Sequence, residues 1–182
     1  MKKIIVIDPG HGGSDPGASA NGLLEKNLNL NICLKLVEKL SEYDADIILT
    51  RDSDTAVDLK KRADTANRAP ADLFLSVHCN AGGGEGFESY THLDATASTL
   101  STGEIIHREV AAFCLERNVA DRGMKAADFA VLRLTAMPAV LLELLFVDHP
   151  RDAGLLQNEV FLRDLTSAVA RGSATALGLS LK

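Results

Sequence analysis

The feature that most constrains the fold is a short, continuous run of β-branched residues near the start of the chain, Ile4-Ile5-Val6-Ile7. Apolar strands without alternating polar residues are typical of parallel sheets that are covered on both faces. Asp8-Pro9-Gly10 ends the run, because proline and glycine interrupt regular structure. Residues 23–42 then place apolar side chains at helical spacing. A buried strand followed by a helix is the repeating unit of α/β folds.

The same alternation of apolar runs and helical patterns continues to the end of the chain. Further strand candidates are residues 46–50, 73–77, 86–92 (alternating, and a candidate edge strand), 129–133 and 139–144. Helical patterns cover residues 55–69, 97–117 and 157–178. The run 139–146 could also be a short buried helix, but the flanking Pro138 and Pro150 favour a strand. The sequence therefore predicts one α/β domain over residues 1–182, with a mainly parallel, twisted sheet of about six strands and helices on both faces.

Composition excludes several classes of function. Of the 182 residues, 46% are hydrophobic and 24% are charged, as in ordinary soluble globular proteins, and the formal net charge is -6. Since no basic stripe occurs, we expect no binding to nucleic acid or to an acidic membrane. The cysteines Cys33, Cys79 and Cys114 are an odd set without paired spacing, which predicts buried, reduced thiols. No apolar stretch approaches the roughly 20 residues that cross a bilayer.

A glycine-rich loop, Asp8 to Gly17, follows the first strand candidate. Its spacing excludes a nucleotide-binding loop, because no Gly-Lys-Ser/Thr ending occurs and no helix opens directly behind a G-x-G-x-x-G pattern. Asp8 and Asp15 would also repel phosphates. The loop does present one histidine, His11, among glycines. This side chain is either a metal ligand or an exposed loop residue.

Two more candidates lie at the start of the first helix and at the end of a strand. Glu25 falls on the same helical stripe as Leu28 and Ile32, so it faces inward; the alternative is a first-turn carboxylate favoured by the helix dipole. His78 ends the strand candidate that begins at residue 73, where it is either a ligand or a core histidine bonded to a backbone carbonyl. The adjacent Cys79 points to the opposite face of the strand and is assigned to packing.

Glu143 is the most anomalous residue of the chain, because it interrupts the apolar run Val140-Leu-Leu-Glu-Leu-Leu-Phe146. An unpaired carboxylate buried there would cost several kcal/mol unless a cation or hydrogen-bond donors compensate it. A structural salt bridge with Arg133, on the neighbouring strand candidate, is one interpretation. A functional carboxylate is the other, since buried acids with shifted pKa values concentrate at active sites.

These four residues are predicted to meet at one place. His11 follows the first strand, Glu25 begins the next helix, His78 ends a strand, and Glu143 lies near the end of the last strand. All of them therefore fall at the carboxyl edge of the sheet, where open α/β folds place their sites. Two imidazoles and one carboxylate match the ligand set of a hydrolytic zinc site, which leaves the second carboxylate free to act as a general base.

The sequence resembles a known family in several successive motifs. The chain is similar to the zinc-dependent N-acetylmuramoyl-L-alanine amidases of the Amidase_3 type from about residue 3 to 180. The motifs are Asp8-Pro-Gly-His-Gly-Gly13 with Gly17-Ala18, Glu25-Lys-Asn-Leu-Asn29, Thr50-Arg51, Asp58-Leu59 through Asn67, Ser76-Val-His-Cys-Asn80, Gly86-Phe-Glu-Ser-Tyr90, Asp121-Arg-Gly-Met-Lys125 and Pro138-Ala-Val-Leu-Leu-Glu143. The resemblance implies one Zn²⁺ ion held by His11, Glu25 and His78, with Glu143 catalytic.

The resemblance also implies a reaction, which is zinc-dependent hydrolysis of the amide bond between N-acetylmuramic acid and L-alanine in peptidoglycan. Glu143 would take a proton from the attacking water and return it to the leaving nitrogen. Asn80 and Arg133 are candidate substrate contacts. Another zinc hydrolase of the cell wall, either a peptidase or a deacetylase, and a non-catalytic wall-binding module are the alternatives.

Location and partners follow from the same expectations. We expect a monomer that acts at the bacterial cell wall, with peptidoglycan as its partner. A negatively charged catalytic domain gains little attraction to an anionic wall, so a separate cell-wall-binding domain would suit it. The apolar run at residues 4–7 is too short for a secretory signal. The sequence therefore suggests either a phage or prophage lysin released by another protein, or a catalytic domain excised from a longer secreted protein.

Overall fold

The computed structural model of the protein describes residues 2–182, which form a six-stranded sheet, a short hairpin and six helices. The strands are β1 (Lys3–Pro9), β2 (Ser19–Ala20), β3 (Leu23–Leu24), β4 (Ala45–Leu49), β5 (Leu73–Asn80), β6 (Phe87–Thr91), β7 (Asp121–Ala126) and β8 (Ala139–Phe146). The helices are α1 (Glu25–Leu40), α2 (Leu59–Arg68), α3 (Ala97–Leu115), α4 (Ala130–Arg133), α5 (Pro150–Leu156) and α6 (Glu159–Leu177).

The order of the strands in the main sheet is β4-β1-β5-β8-β6-β7, and β2 pairs with β3 apart from it. Strands β4, β1, β5 and β8 are parallel, whereas β6 is antiparallel to β8 and parallel to β7. The carboxyl ends of β1, β5 and β8 therefore meet at one edge of the sheet. This arrangement confirms the predicted α/β fold with a mainly parallel sheet of six strands.

The alternation of side chains along each strand builds a core on each face of the sheet. Ile5 and Ile7 point to the larger core, which contains residues of α1, α3 and α6, whereas Val6 points to a smaller core with residues of α2 and α4. All three side chains are fully buried. Helices therefore cover both faces, as the run of β-branched residues at the start of the chain predicted.

Two details of the sequence prediction are wrong, and one strand was not predicted. Residues 129–133 do not form a strand; most of them belong to α4, which buries Val131 and Leu132 in the smaller core. A run of five residues is too short for its periodicity to distinguish a helix from a strand. The segment 86–92 contributes β6, which lies inside the sheet between β8 and β7 rather than at its edge. The edge strands are β4 and β7. No strand was predicted at β7, because its sequence, Asp-Arg-Gly-Met-Lys-Ala, is exposed or half-buried throughout and has no apolar pattern.

The expectation of buried, reduced cysteines is confirmed. The three cysteines are free thiols, and all of them are buried. Among residues 2–182, no helix combines the length and the apolar character that a membrane span requires.

Candidate active site at the carboxyl edge of the sheet

His11 lies in the loop that leaves β1 at the carboxyl edge of the sheet. Its backbone φ angle is 60°, a left-handed conformation that is uncommon for residues other than glycine. The surroundings of the loop must therefore hold it in place. The Asp15 carboxylate lies 2.8 Å from Nδ1 of His11. A carboxylate at one ring nitrogen fixes the orientation of the imidazole and directs the other nitrogen towards a ligand. Here that other nitrogen, Nε2, faces Glu25.

Two buried arginines hold the backbone of this loop. Arg62 on α2 donates from Nη1 to the carbonyl of Pro9 (2.6 Å) and from Nη2 to the carbonyl of His11 (2.7 Å). Arg51 donates from Nε to Pro9 (2.9 Å) and from Nη2 to the carbonyl of Gly10 (2.8 Å). Each of these two arginine residues is only 4% exposed. Three consecutive carbonyls are thus bound by fixed guanidinium groups, which accounts for the strained conformation of the loop.

The buried charge of Arg62 is balanced by Asp8, the residue before Pro9. Nη1 of Arg62 lies 2.8 Å from Oδ1 of Asp8, and both residues are almost entirely buried. Asp8 also accepts hydrogen bonds from the hydroxyls of Thr50 (2.5 Å) and Ser76 (2.8 Å). Hydrogen bonds that complete the shell of a buried pair offset the cost of removing the charges from water. Neither arginine was predicted to have this structural role, although Arg62 shares the inward stripe of α2 with Ala63 and Ala66.

Glu25 is the first residue of α1, and it is 4% exposed, as its helical stripe predicted. Oε2 accepts a hydrogen bond from the backbone N–H of Ala18 at 2.8 Å, and Oε1 accepts one from the N–H of Cys79 at 3.2 Å. Burial raises the pKa of this carboxyl group, but hydrogen bonds to His11 and His78 outweigh it and hold the pKa well below its ordinary value. Glu25 is therefore ionised at neutral pH.

His78 is located near the end of β5, on the face of the sheet opposite to Cys79. Its Nδ1 lies 3.0 Å from Oε1 of Glu25. The thiol of Cys79 is buried in the larger core, which agrees with its assignment to packing. Gly10 makes room for the imidazole, because a Cβ atom at this position would lie 2.2 Å from Cε1 of His78.

His11, Glu25 and His78 converge as the sequence predicted. Each offers one ligand atom, and these atoms all lie within 4.8 Å of one another. Nε2 of His11 is 3.1 Å from Oε2 of Glu25. Zinc bonds of about 2.0–2.1 Å place neighbouring tetrahedral ligands roughly 3.3 Å apart, and the separation between His11 and Glu25 is close to this spacing. The hydrogen bond to Glu25 also raises the pKa of His11 to about 9, which reflects a local field that favours a cation.

Glu143 lies beside His78, because the two residues are register partners in the parallel pair of β5 and β8. Its Oε2 is buried and has no hydrogen-bond partner among residues 2–182. Burial raises the pKa of Glu143 to about 7. The salt bridge to Arg133 that the sequence left open is absent, since Arg133 pairs with Asp128 instead. An inward-facing carboxylate without a partner is suited to taking up a proton.

These side chains share an open cleft between the sheet and α2 and α4. The cleft has a volume of about 1020 Å³, and His11, His78 and Glu143 contribute to its floor. Its walls are mainly apolar, with Val57 and Leu59 at the start of α2 and Phe129 before α4. The site therefore combines a possible metal centre, a proton acceptor and space for a substrate of considerable size.

The two candidate substrate contacts lie in different places. Asn80 ends β5 near Glu143, but its side chain bonds within the protein, donating to Oε1 of Glu88 (2.8 Å) and accepting from the N–H of Ala81 (2.8 Å). Arg133 ends α4, borders a smaller depression on the surface and does not line the cleft that contains Glu143. Substrate binding by either residue stays a prediction.

The remaining histidines are not part of the metal-binding group found among the described residues. His107 lies between the Ser89 hydroxyl (2.8 Å) and the Asp121 carboxylate (3.1 Å). Ser89 is fully buried beneath α3, so this line of three residues has no access to a substrate. We assign it to packing of α3 against the sheet.

Residues 5–174 match the Amidase_3 family, which is described as N-acetylmuramoyl-L-alanine amidase. The chain belongs to this family. Among curated relatives, the endolysin of Bacillus phage SPP1 is 46% identical over 187 residues, covering 100% of this chain and 69% of the phage protein. The N-acetylmuramoyl-L-alanine amidase CwlM of Bacillus licheniformis is 48% identical over 178 residues, covering 97% of this chain and 69% of that protein.

Solved structures of the family support the same assignment of the fold. An N-acetylmuramoyl-L-alanine amidase from Clostridium difficile 630 superposes with a TM-score of 0.92 at 33% identity, covering 97% of both chains. The catalytic domain of the amidase CwlV from Bacillus (Paenibacillus) polymyxa var. colistinus gives a TM-score of 0.92 at 31% identity, covering 98% of this chain and 99% of its own. The sheet and helices described above are therefore those of an amidase catalytic domain.

We predict that Arg62→Met destabilises the protein by about 3–5 kcal/mol, because it leaves the buried Asp8 without its partner. Urea unfolding followed by circular dichroism measures the effect. The matched control is Arg68→Met, at the exposed end of the same helix, which should change stability by less than about 0.5 kcal/mol. Adding Asp8→Asn to Arg62→Met should recover part of the loss, because the unpaired charge is removed. Equal effects of the two single substitutions would contradict the prediction.

We also predict that Glu143→Gln stabilises the metal-free protein above about pH 7 by about 1–3 kcal/mol. The native state of the parent keeps the proton of Glu143 up to a pKa of about 7, whereas the unfolded chain loses it near the ordinary value of 4.5. Stability therefore falls as the pH rises between these values, and the neutral amide removes that loss. Melting temperatures measured in chelator across this pH range test the prediction, with the exposed Glu38→Gln as control. A variant that melts no higher than the parent at any pH contradicts it.

Proposed function

We propose that the protein hydrolyses the amide bond between N-acetylmuramic acid and L-alanine in the peptidoglycan of the bacterial cell wall, and that it depends on one zinc ion. The observation that carries this proposal is the convergence of His11, Glu25 and His78 beside the unpaired carboxylate of Glu143 in an open cleft. Relatives that carry the name of this activity match nearly the whole chain. We further propose that residues 1–182 form a single catalytic domain.

The donor set agrees with the proposed metal. Two imidazole nitrogens and one carboxylate oxygen are ligands that zinc prefers at catalytic sites, and such sites keep a further position open. His11, Glu25 and His78 would hold the ion. When bound there, zinc supplies Lewis acidity, which polarises the scissile carbonyl and lowers the pKa of water. Asp15 supports this role, since its carboxylate at Nδ1 of His11 fixes the ring and increases its basicity.

Glu143 moves the proton in this reaction. Its unpaired Oε2 is available to accept a proton from the attacking water, because no protein donor competes for it. As the tetrahedral species collapses, the carboxyl group donates that proton to the nitrogen of L-alanine, and the C–N bond to the lactyl carbonyl breaks. A pKa raised by burial suits this exchange, since the group must hold the proton and then release it near neutral pH.

The apolar walls of the cleft and the arginine-bound loop prepare the site for the reaction. Val57, Leu59 and Phe129 give the walls of the cleft an apolar surface. Arg51 and Arg62 fix the backbone that presents His11, so the ligand geometry is set before a metal or a substrate binds. Preorganised groups contribute most to catalysis because they need no rearrangement during the reaction.

We predict that the protein releases new amino ends of L-alanine from purified peptidoglycan, and that a chelator abolishes this release until zinc is restored. Labelling the new end groups before hydrolysis identifies the bond that is cut. The alternative reactions give different products: a peptidase frees an amino end within the stem peptide, and a deacetylase frees acetate. Digestion that continues unchanged after removal of all metal contradicts the zinc dependence.

Two substitutions separate the proposed roles. Glu143→Gln should reduce the rate by at least about 10²-fold, the lower range for loss of a general base, while the protein keeps zinc. His11→Ala should lose both activity and stoichiometric zinc, because a ligand is missing. Elemental analysis after gel filtration measures the metal content of each variant. A Glu143→Gln variant with near-normal turnover would overturn the assignment of the base.

A further inference from the structure

A second polar cluster lies on the same face of the sheet as Glu143. It spans two strands and is open to solvent. Glu88 of β6 is the antiparallel register partner of Glu143, so the two side chains emerge side by side. Beyond it, β7 contributes Arg122 and Lys125, which both reach back to the carboxylate of Glu88. The mechanism proposed above uses none of these three residues.

The cluster carries more positive than negative charge. Oε2 of Glu88 accepts from Nε of Arg122 at 2.7 Å and from Nζ of Lys125 at 2.5 Å. Oε1 accepts from Asn80 at 2.8 Å and from the Tyr90 hydroxyl at 2.7 Å. One carboxylate thus faces two cations, which leaves a net positive charge beside the active site of a chain whose formal net charge is -6.

Glu88 holds Arg122 and Lys125 in place, but some of their hydrogen-bond donors remain available. The side chain of Glu88 is 4% exposed, whereas those of Arg122 and Lys125 are 36% and 37% exposed. Among residues 2–182, Arg122 donates a hydrogen bond through Nε alone, so both terminal nitrogens of its guanidinium group are available. The ring of Phe146 lies 5.0 Å from the guanidinium carbon and supports it from one side. A planar guanidinium group with two free nitrogens is suited to binding a carboxylate.

We propose that Arg122 and Lys125 bind a carboxylate of the stem peptide and thereby determine which peptides the protein accepts. The inference rests on the proposed function. Neighbouring strands lie about 4.8 Å apart, so β7 is roughly 10 Å from the strand of Glu143. The side chains of Arg122 and Lys125 reach back to Glu88 on the intervening strand, about 4.8 Å from the strand of Glu143. An extended peptide covers about 3.3–3.6 Å per residue, so a stem that starts at Glu143 and runs towards β6 brings its second residue to the cluster. Glu88 is a positioning residue in this scheme, because it holds both cations.

On the α2 side of the cleft each cation is balanced by one carboxylate, since Lys60 pairs with Asp64 and Arg62 pairs with Asp8. The apolar side chains of Val57 and Leu59 also line this side of the cleft. A substrate with an uncharged sugar at one end of the scissile bond and an acidic peptide at the other therefore fits in one direction. The peptide lies over β6 and β7, and the glycan lies towards α2 and α4.

The test compares two soluble muropeptides that differ only in the second stem residue, which carries either a free carboxylate or its amide. The metal-loaded parent protein should cleave the acid with a kcat/KM about tenfold higher, a factor that corresponds to about 1.4 kcal/mol. The difference should lie in KM, because the cluster does not touch the reacting atoms. Both substrates are soluble and carry no wall polymers. Binding of Arg122 and Lys125 to phosphate groups of such polymers therefore cannot cause the preference for the acid.

Variants connect the preference to the cluster. Arg122→Gln and Lys125→Gln should each raise KM for the acid and leave the kinetics of the amide close to those of the parent. The control is Arg171→Gln, an exposed arginine of α6 that also pairs with a single glutamate, Glu109, at 3.7 Å. It should keep the full preference. The comparison of the two substrates with the parent protein needs no variant, so it holds even where a substitution disturbs folding.

Three results would overturn the inference. The parent could cleave both substrates with equal kcat/KM, or the two substitutions could lower kcat/KM equally for the acid and the amide. In both cases L-alanine ends still appear, so the proposed function stands while the carboxylate site falls. A metal-loaded parent that releases no L-alanine end from either substrate would remove the proposed function and this inference together.

Discussion

The structure depends on the binding of three consecutive backbone carbonyls by two buried arginines. Arg51 and Arg62 hold the chain where β1 ends, and this contact keeps His11 in a left-handed conformation beside Glu25. Asp8 stabilises this arrangement, because its carboxylate balances the buried charge of Arg62. A metal site needs ligand atoms within a few tenths of an ångström of their working positions, and a glycine-rich loop alone cannot provide this.

The unequal cover of the two faces of the sheet explains where the site opens. One face carries three long helices along its whole length, whereas the other carries α2 and the short α4. Because side chains alternate along a strand, polar residues at this edge of the sheet can all be placed on the less covered face. His78, Glu143 and Glu88 share that face in neighbouring strands. The apolar residues between them point to the larger core. One face of these strands therefore stabilises the fold, and the other face carries the candidate site.

Glu143 and Glu88 are both buried carboxylates, but they differ in their hydrogen-bond partners. Glu88 receives four hydrogen-bond donors, and its pKa is lowered to about 2 despite the opposing effect of burial. Glu143 is its direct neighbour across the strand pair, yet its Oε2 has no donor among the described residues, and burial raises its pKa to about 7. A satisfied carboxylate positions other groups, whereas an unsatisfied one remains available for a proton. The unsatisfied group costs stability, a cost that proteins commonly accept at sites of function.

The sequence by itself determined the α/β class, most of the elements, and the set formed by His11, Glu25, His78 and Glu143. These depend on local periodicity and on the rule that parallel strands end at one edge, which hold whatever packs nearby. The tertiary structure decided the helix at 130–133, the polar edge strand β7, and the partners of the arginines and of Glu88. Such partners lie tens of residues apart in the chain, and β7, whose residues are all exposed or half-buried, carries no apolar pattern. Local order follows from each segment alone, whereas the pairing of buried charges exists only once the segments have packed together.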